Sequence, residues 1–243
     1  MFRYSLAILI CTALPAWAQV PDITDRLRDE GIVPTEAYLA ALPDPDPTER
    51  FALGGVRFLR AIEVTLQTRW RMGFNAARTE LPVLRLPVPP NPSPEPFDPA
   101  AITALFTQML PDMDAARAPL LTIGDDDAVS LPIRLDEMWF DINMNGTRDE
   151  GEGLVNVAGL ALTGRGMDAD RLPPLVFDTS DAAWLAAYTH LLAAFSELVL
   201  AFDPTEQIAR IAASSQEMNA LAADTPYVNA MDMQFGQQVD RIA

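Results

Sequence analysis

The densest chemistry in the 243-residue sequence lies in one stretch, Asp141-Ile-Asn-Met-Asn-Gly-Thr-Arg-Asp-Glu-Gly-Glu152. Counted from Asp141, side-chain oxygens fall at positions 1, 3, 5, 9 and 12, which are Asp141, Asn143, Asn145, Asp149 and Glu152. Gly146 stands at position 6, and Thr147 offers its backbone carbonyl at position 7. The donors are all oxygens, and three of the side chains are carboxylates. Such a set suits calcium, a hard cation that takes about six to eight oxygens. Glycine at the sixth position lets the chain turn sharply around an ion. Glu152 could bind with both of its carboxylate oxygens.

At each of these positions the stretch resembles the calcium loop of the EF-hand family. The resemblance covers these twelve residues and implies a calcium ligand set, with no activity attached. Paired EF-hands carry an apolar residue at position 8, where two loops join; this sequence has Arg148 there and no visible second loop. Gly124-Asp-Asp-Asp127 reads as an acidic turn, since it lacks spaced ligands and a sixth-position glycine. Pro132 limits a helix before the loop, and Gly153 and Gly159 weaken one after it. Met138-Trp-Phe-Asp-Ile-Asn-Met-Asn-Gly146 with Asp149-Glu-Gly-Glu152 is also similar to the calcium turn of bacterial surface adhesin repeats. A solitary loop with three carboxylates predicts weak binding, on the order of 0.1–1 mM. Calcium would then be a constant clamp and not a sensor.

Other chemistry is sparse. His190 is the sole histidine, which excludes a histidine metal cluster and leaves one candidate base. No Gly-x-Ser-x-Gly elbow presents a nucleophile. His190 lies on an alanine-lined helical face and Glu63 lies beside an apolar stripe on another helix. The two could meet as a hydrogen-bonded pair, structural or catalytic. Cys11, the only cysteine, falls in an N-terminal segment with export character. Arg3, the apolar run Leu6 to Leu14 and Ala16-Trp17-Ala18 form a signal-peptide pattern, with cleavage expected near Ala18. The mature chain would be periplasmic or secreted, without a thiol and without a transmembrane segment.

The formal charge is -17, and every basic residue is arginine. Such a surface repels nucleic acid and anionic lipid and concentrates cations. Hydrophobic residues make up 49%, enough for a core.

The elements that must position the loop are mostly helical. Short helices are expected from Asp22 to Gly31 and from Pro34 to Leu42. Asp46-Pro-Thr-Glu49 is a helix-start signature and recurs as Asp203-Pro-Thr-Glu206. The first predicts a long helix from Pro47 to about Phe74, with Val56, Leu59, Ile62, Leu66 and Trp70 as a stripe. Gly54-Gly55 within it points to close approach by another backbone. Arg57, Arg60, Arg69, Arg71 and Arg78 read as a solvated face paired with acidic neighbours.

Residues 82–99 hold eight prolines and read as a linker or a surface-hugging loop. A helix follows from Ala100 to about Ala118, kinked or shortened at Pro111. Residues 131–135 and 175–177 suggest two short paired strands. Gly164-Arg-Gly166 reads as a flexible turn. Trp184, Tyr188, Leu191, Phe195, Leu198 and Phe202 predict a core-facing stripe on the clearest helix of the chain. A final helix over 227–243 would carry Val228, Met231, Phe235, Val239 and Ile242 on one side, a stripe that needs the protein body or another subunit as partner. Ala183-Trp-Leu-Ala-Ala-Tyr-Thr-His-Leu-Leu192, with the calcium loop upstream, is similar to exported bacterial proteins, a likeness that implies a class and no mechanism.

The expectation is a mainly α protein. It comprises a signal peptide (1–18), an N-terminal helical segment (19–81), a Pro-rich segment (82–99) and a helical region (100–243). The last carries an insertion at 131–178 with two short strands and the calcium loop; 19–81 and 100–243 could form one domain. Two functions fit. One is an exported, non-enzymatic helical protein clamped by calcium; the other is a periplasmic hydrolase using His190 with a carboxylate.

Overall fold

A computed structural model describes residues 23–74, 84–163 and 172–224. In order these form α1 (Ile23–Asp29), α2 (Ile32–Ala40), α3 (Pro47–Arg71), α4 (Ala100–Leu120), β1 (Leu131–Ile133), α5 (Leu154–Thr163), β2 (Leu175–Phe177), α6 (Thr179–Phe202) and α7 (Thr205–Asp224). The fold is mainly helical with one small strand insertion, as the sequence predicts. The signal-peptide segment, the 164–166 turn and the 227–243 stripe lie outside the described residues.

The long helix α3 is the central element. Asp46 starts it with both halves of a capping box: its side chain accepts the Glu49 N–H at 2.8 Å, and Glu49 accepts the Asp46 N–H at 2.8 Å. That arrangement satisfies two amides a helix start otherwise leaves unpaired. Phe51, Ala52, Val56 and Leu66 of α3 join Leu27, Ile32 and Leu39 of α1 and α2, Leu120 of α4, and Phe140 and Ile142 of the insertion in one core. Leu185 and Ala186 of α6 reach the same core. The segments before and after the Pro-rich stretch therefore share one interior.

The Pro-rich stretch, described from 84 onward, hugs the surface. Asn91 Nδ2 donates to the Trp70 carbonyl at 2.9 Å and Glu95 N donates to the Arg71 carbonyl at 2.7 Å, while Leu84 and Val88 are buried. Arg69 does not belong to a solvated face. It is buried, donates to the Leu86 carbonyl at 2.7 Å, and desolvation pulls its pKa down to about 10.

Three further expectations are corrected. Pro111 does not shorten helix α4, which runs from Ala100 to Leu120 with Pro111 and Pro119 inside it. Pro111 removes the helical donor to the Thr107 carbonyl, and Thr107 is exposed, so solvent can satisfy that oxygen. Gly159 does not prevent α5 from following the 141–152 loop directly. On α6, the large residues do not all face the core. Trp184, Leu191, Leu198 and Phe202 are exposed, while Ala182, Leu185, Ala186, Thr189, Leu192 and Ser196 are buried. The small residues allow α4 and α6 to lie close along their length, and the hydroxyls bond within their own helix, Thr189 to the Ala186 carbonyl and Ser196 to the Leu192 carbonyl. Helix α6 is also long and apolar enough to cross a membrane by length and composition.

The paired glycines of α3 have different reasons. A Cβ on Gly54 would lie 2.5 Å from Leu120 Cδ2 and 3.0 Å from the Ala116 carbonyl oxygen, so α4 requires glycine there. A Cβ on Gly55 would meet nothing within 4 Å. Gly54→Ala is expected to destabilise the protein by about 1–3 kcal/mol through overpacking. Gly55→Ala should stabilise it by roughly 0.5–1 kcal/mol through helix propensity. Urea unfolding of the two variants checks the contrast, and equal effects would refute it.

Candidate metal centre

The insertion begins where β1 pairs antiparallel with β2, Leu131 opposite Phe177 and Ile133 opposite Leu175. Beyond β1 the chain closes a second, tighter base. Phe140 N donates to the Glu152 carbonyl at 2.9 Å, and Leu154 N donates to the Met138 carbonyl at 2.8 Å, around a Trp139–Gly153 bridge. The loop 141–152 projects from this base and α5 begins at its far end. A helix thus follows the loop, and an antiparallel bridge takes the place of a helix before it.

Within the loop, short polar side chains fold the backbone. Asp141 Oδ1 accepts the Asn145 N–H at 2.9 Å and Oδ2 accepts the Gly146 N–H at 3.0 Å. Asn143 Oδ1 accepts the Asn145 N–H at 3.0 Å, and Asn145 Oδ1 accepts the Thr147 N–H at 2.8 Å. The two asparagine bonds, each to the N–H two residues ahead, are local turns that asparagine favours, while Asp141 reaches four and five residues ahead. Met144 (φ 61°) and Gly146 (φ 75°) take the left-handed conformation inside them. The Nδ2 groups of Asn143 and Asn145 both donate to Asp149 Oδ2, at 2.6 and 2.7 Å. Positions 3 and 5 therefore meet position 9 through their NH2 groups, with their oxygens turned to backbone amides, while position 1 holds the turn beside them.

Glu152 behaves differently from the other five positions. It is 1% exposed. Its Oε1 accepts the N–H groups of Ile142 (2.9 Å) and Asn143 (3.1 Å), and its Oε2 accepts that of Asp149 (2.9 Å). No cationic side chain pairs with it among the described residues. Burial raises its pKa against the pull of those three amides, and the nearby Asp149 carboxylate raises it further.

The donor set fits a hard divalent cation in its chemistry, since it holds only oxygens and includes three carboxylates. Asn143 Oδ1 accepts one backbone N–H and has a second lone pair, whereas Asn145 Oδ1 accepts both the N–H and the hydroxyl of Thr147, each at 2.8 Å, so a metal there would have to displace the hydroxyl. Among the described residues no three His, Cys, Asp or Glu side chains gather as a metal cluster, so ligation relies on the asparagine amides and the Thr147 carbonyl. Bidentate ligation by Glu152 fits less well. A carboxylate has about four lone-pair directions, and three are engaged by backbone amides, which leaves room for one bond through Oε2.

Two supports of the loop come from α3, one turn apart. Glu63 Oε1 accepts the Asp141 N–H at 2.8 Å, and Gln67 Nε2 donates to the Asp141 carbonyl at 2.8 Å. Both backbone groups of the first loop residue are thus held by one face of one helix. Glu63 is 1% exposed, its Oε2 accepts from Arg60 Nη1 at 2.5 Å, and burial raises its pKa despite that cation. Glu63 therefore meets Asp141 and Arg60, and the expected Glu63–His190 pair does not form. His190 lies exposed on α6, without a hydrogen bond to Glu63. The role of Gln67 was not legible, although a glutamine one turn after a glutamate beside an apolar stripe is a usable signal.

Arg148 crosses the loop base. Its guanidinium donates to the Asp136 carbonyl at 3.0 Å and the Glu137 carbonyl at 3.4 Å. A Cβ on Gly153 would lie 3.1 Å from Arg148 Nη2, so that glycine makes room for the arginine. Position 8 thus fastens the loop to its own chain. Trp139 completes the attachment: Nε1 donates to the Arg28 carbonyl at 3.1 Å, and its ring lies against Gly31, whose φ is 82°.

Beside the insertion lies an apolar cavity of about 460 Å³, bordered by Phe51, Gly55, Leu59, Met138, Leu154 and Trp184. His190 is not among its lining residues.

Glu63→Leu leaves the Asp141 N–H and Arg60 without their acceptor and is expected to cost roughly 1–3 kcal/mol in urea unfolding. Glu63→Gln keeps an oxygen for the Asp141 N–H and should cost clearly less. Equal losses in the two variants would show that the charge, and not the acceptor, matters.

In comparisons with known proteins, no family model, no curated protein and no solved structure matches the chain.

Proposed function

We propose that the protein is an exported calcium-binding protein in which calcium clamps the 131–178 insertion to the helical body. Asp141, Asn143, Asn145, Asp149 and the Thr147 carbonyl are the ligands, and Glu152 contributes one oxygen while bracing the backbone. The observation that carries this reading is the buried Glu152 carboxylate beside Asp149, with no cationic side chain paired to it among the described residues. A buried carboxylate without a counter-charge is costly. A divalent cation beside Asp149, with the Asn143 and Asn145 amides turned to present their oxygens in place of their NH2 groups, would offset that cost. The body the loop is fixed to is a helical binding or structural scaffold; His190, exposed and without a bonded carboxylate, gives the hydrolase alternative no geometric support.

Calorimetric titration is expected to give a Kd on the order of 0.1–1 mM for calcium. At about ten times Kd, calcium should add roughly 1.4 kcal/mol to stability. Asp149→Asn should weaken binding and Asp141→Asn should do the same. Absence of heat together with an unchanged melting midpoint at saturating calcium would refute the proposal.

The pH dependence has a definite sign. Glu63 and Glu152 both have folded pKa values raised above the ordinary 4.5. Their contribution to stability is fully present below that ordinary value and is lost as pH rises through the raised values. In chelator the melting midpoint should therefore drop over that interval, and calcium, which favours the ionised carboxylates, should reduce the drop. Parallel curves with and without calcium would separate the two carboxyls from metal binding.

A further inference from the structure

The outer face of α6 has a composition that solvent alone does not explain. Trp184 is 63% exposed, Leu191 61%, Leu198 54% and Phe202 79%. Trp184, Leu191 and Leu198 recur every seven residues, and exposed Ala187, Ala194 and Ala201 lie between them. That is the spacing of a helix seam made for another helix. Beyond the first turn, the exposed charged or titratable groups on this face are His190 and Glu197, and half-buried Tyr188 stacks on Trp184 at 5.1 Å. Among the described residues, no titratable group is bonded to His190 or Glu197.

We propose that this face joins a second copy of the chain, α6 against α6, antiparallel about a two-fold axis passing beside residues 192 and 193. In that register every large residue meets an alanine of the other copy. Trp184 faces Ala201, Leu191 faces Ala194, Leu198 faces Ala187 and Phe202 faces Ala183. A self-complementary patch of this kind is what a two-fold interface requires. The same register brings His190 of each copy to within about 3 Å, along the helix axis, of Glu197 of the other, by the rise of an α-helix. The two polar residues of the face thus answer each other twice by symmetry.

The charge pattern favours a protein partner over a bilayer. Glu197 near the middle of the face would be costly to place in hydrocarbon. It also favours a second copy in a strongly acidic protein, because this face carries almost none of the chain's -17 formal charge. The dimer leaves the calcium loop untouched and rests on different residues.

Sedimentation velocity of the purified protein over a concentration series tests the interface. A concentration-dependent dimer is expected. Leu191→Glu should make it monomeric with helical circular dichroism and melting midpoint unchanged, since Leu191 is exposed in the monomer. His190→Glu should weaken the dimer about tenfold by setting carboxylates opposite each other. Adding Glu197→Arg to His190→Glu should restore it, which a merely apolar contact would not do. A wild-type protein that stays monomeric overturns the proposal, and so does a dimer indifferent to Leu191→Glu. It is equally overturned if a dimer forms only after residues 225–243 are deleted, which would assign the stripe to the chain's own C-terminal segment. Monomers that bind neutral phosphatidylcholine vesicles through Leu191 would assign it to a membrane and overturn it as well.

Discussion

The buried carboxylate of Glu63 ties the two parts of the molecule together. It sits on α3, among side chains that form the core, and one of its oxygens holds the backbone N–H of Asp141. Gln67 holds the carbonyl of the same residue from one turn further along. A helix is rigid over one turn, so fixing both groups sets the position and the orientation of the first loop residue. The 141–152 loop then starts from a fixed point, and Arg148 and Trp139 fasten its base to segments 136–137 and 28–31. This explains how a solitary loop can be ordered without the partner loop of a paired EF-hand. The neighbouring helix and the loop's own arginine supply the attachments.

The distribution of charge inside this arrangement is uneven. Glu63 is buried with Arg60 at 2.5 Å, so its charge is answered from its own helix. Glu152 is equally buried and answered only by three backbone amides. Amides can satisfy the lone pairs of a carboxylate, yet they do not cancel its charge in a low-dielectric setting. The contrast between the two glutamates separates a structural ion pair from a site with room for an external cation. It also explains why position 12 is pulled toward the backbone: with Asp149 close by, the amides are the available source of positive potential.

Much of the fold was legible because local rules and tertiary packing agreed. The Asp46–Glu49 capping box, the strand pair at 131–133 and 175–177, and the loop pattern all follow from residue types at short range. Gly54 was legible as a close approach, and Gly55 was not distinguishable from it, because only the position of α4 separates them. The partner of Glu63 was not legible either. Burial beside a stripe marks a polar residue as bonded, but the sequence does not say which distant backbone group meets it.

The misreading of α6 has a physical cause. Hydrophobic size is only a partial guide to the core on this helix: Leu185 and Leu192 are buried, but at Trp184, Leu191, Leu198 and Phe202 the rule is inverted. Close packing against α4 demands small side chains, so Ala182, Ala186, Thr189 and Ser196 are buried while Trp184 and Leu191 stand outside. Periodicity alone finds a stripe; it does not tell which of two stripes faces inward when one is small and the other large. A helix with alanine on its inner face and large apolar residues on its outer face has two contact surfaces. The inner one is made with α4. The outer one has a seven-residue repeat and two unanswered polar residues, features that an inward-facing core stripe would not need. The same inversion that defeated the sequence reading is what leaves a second surface for another helix.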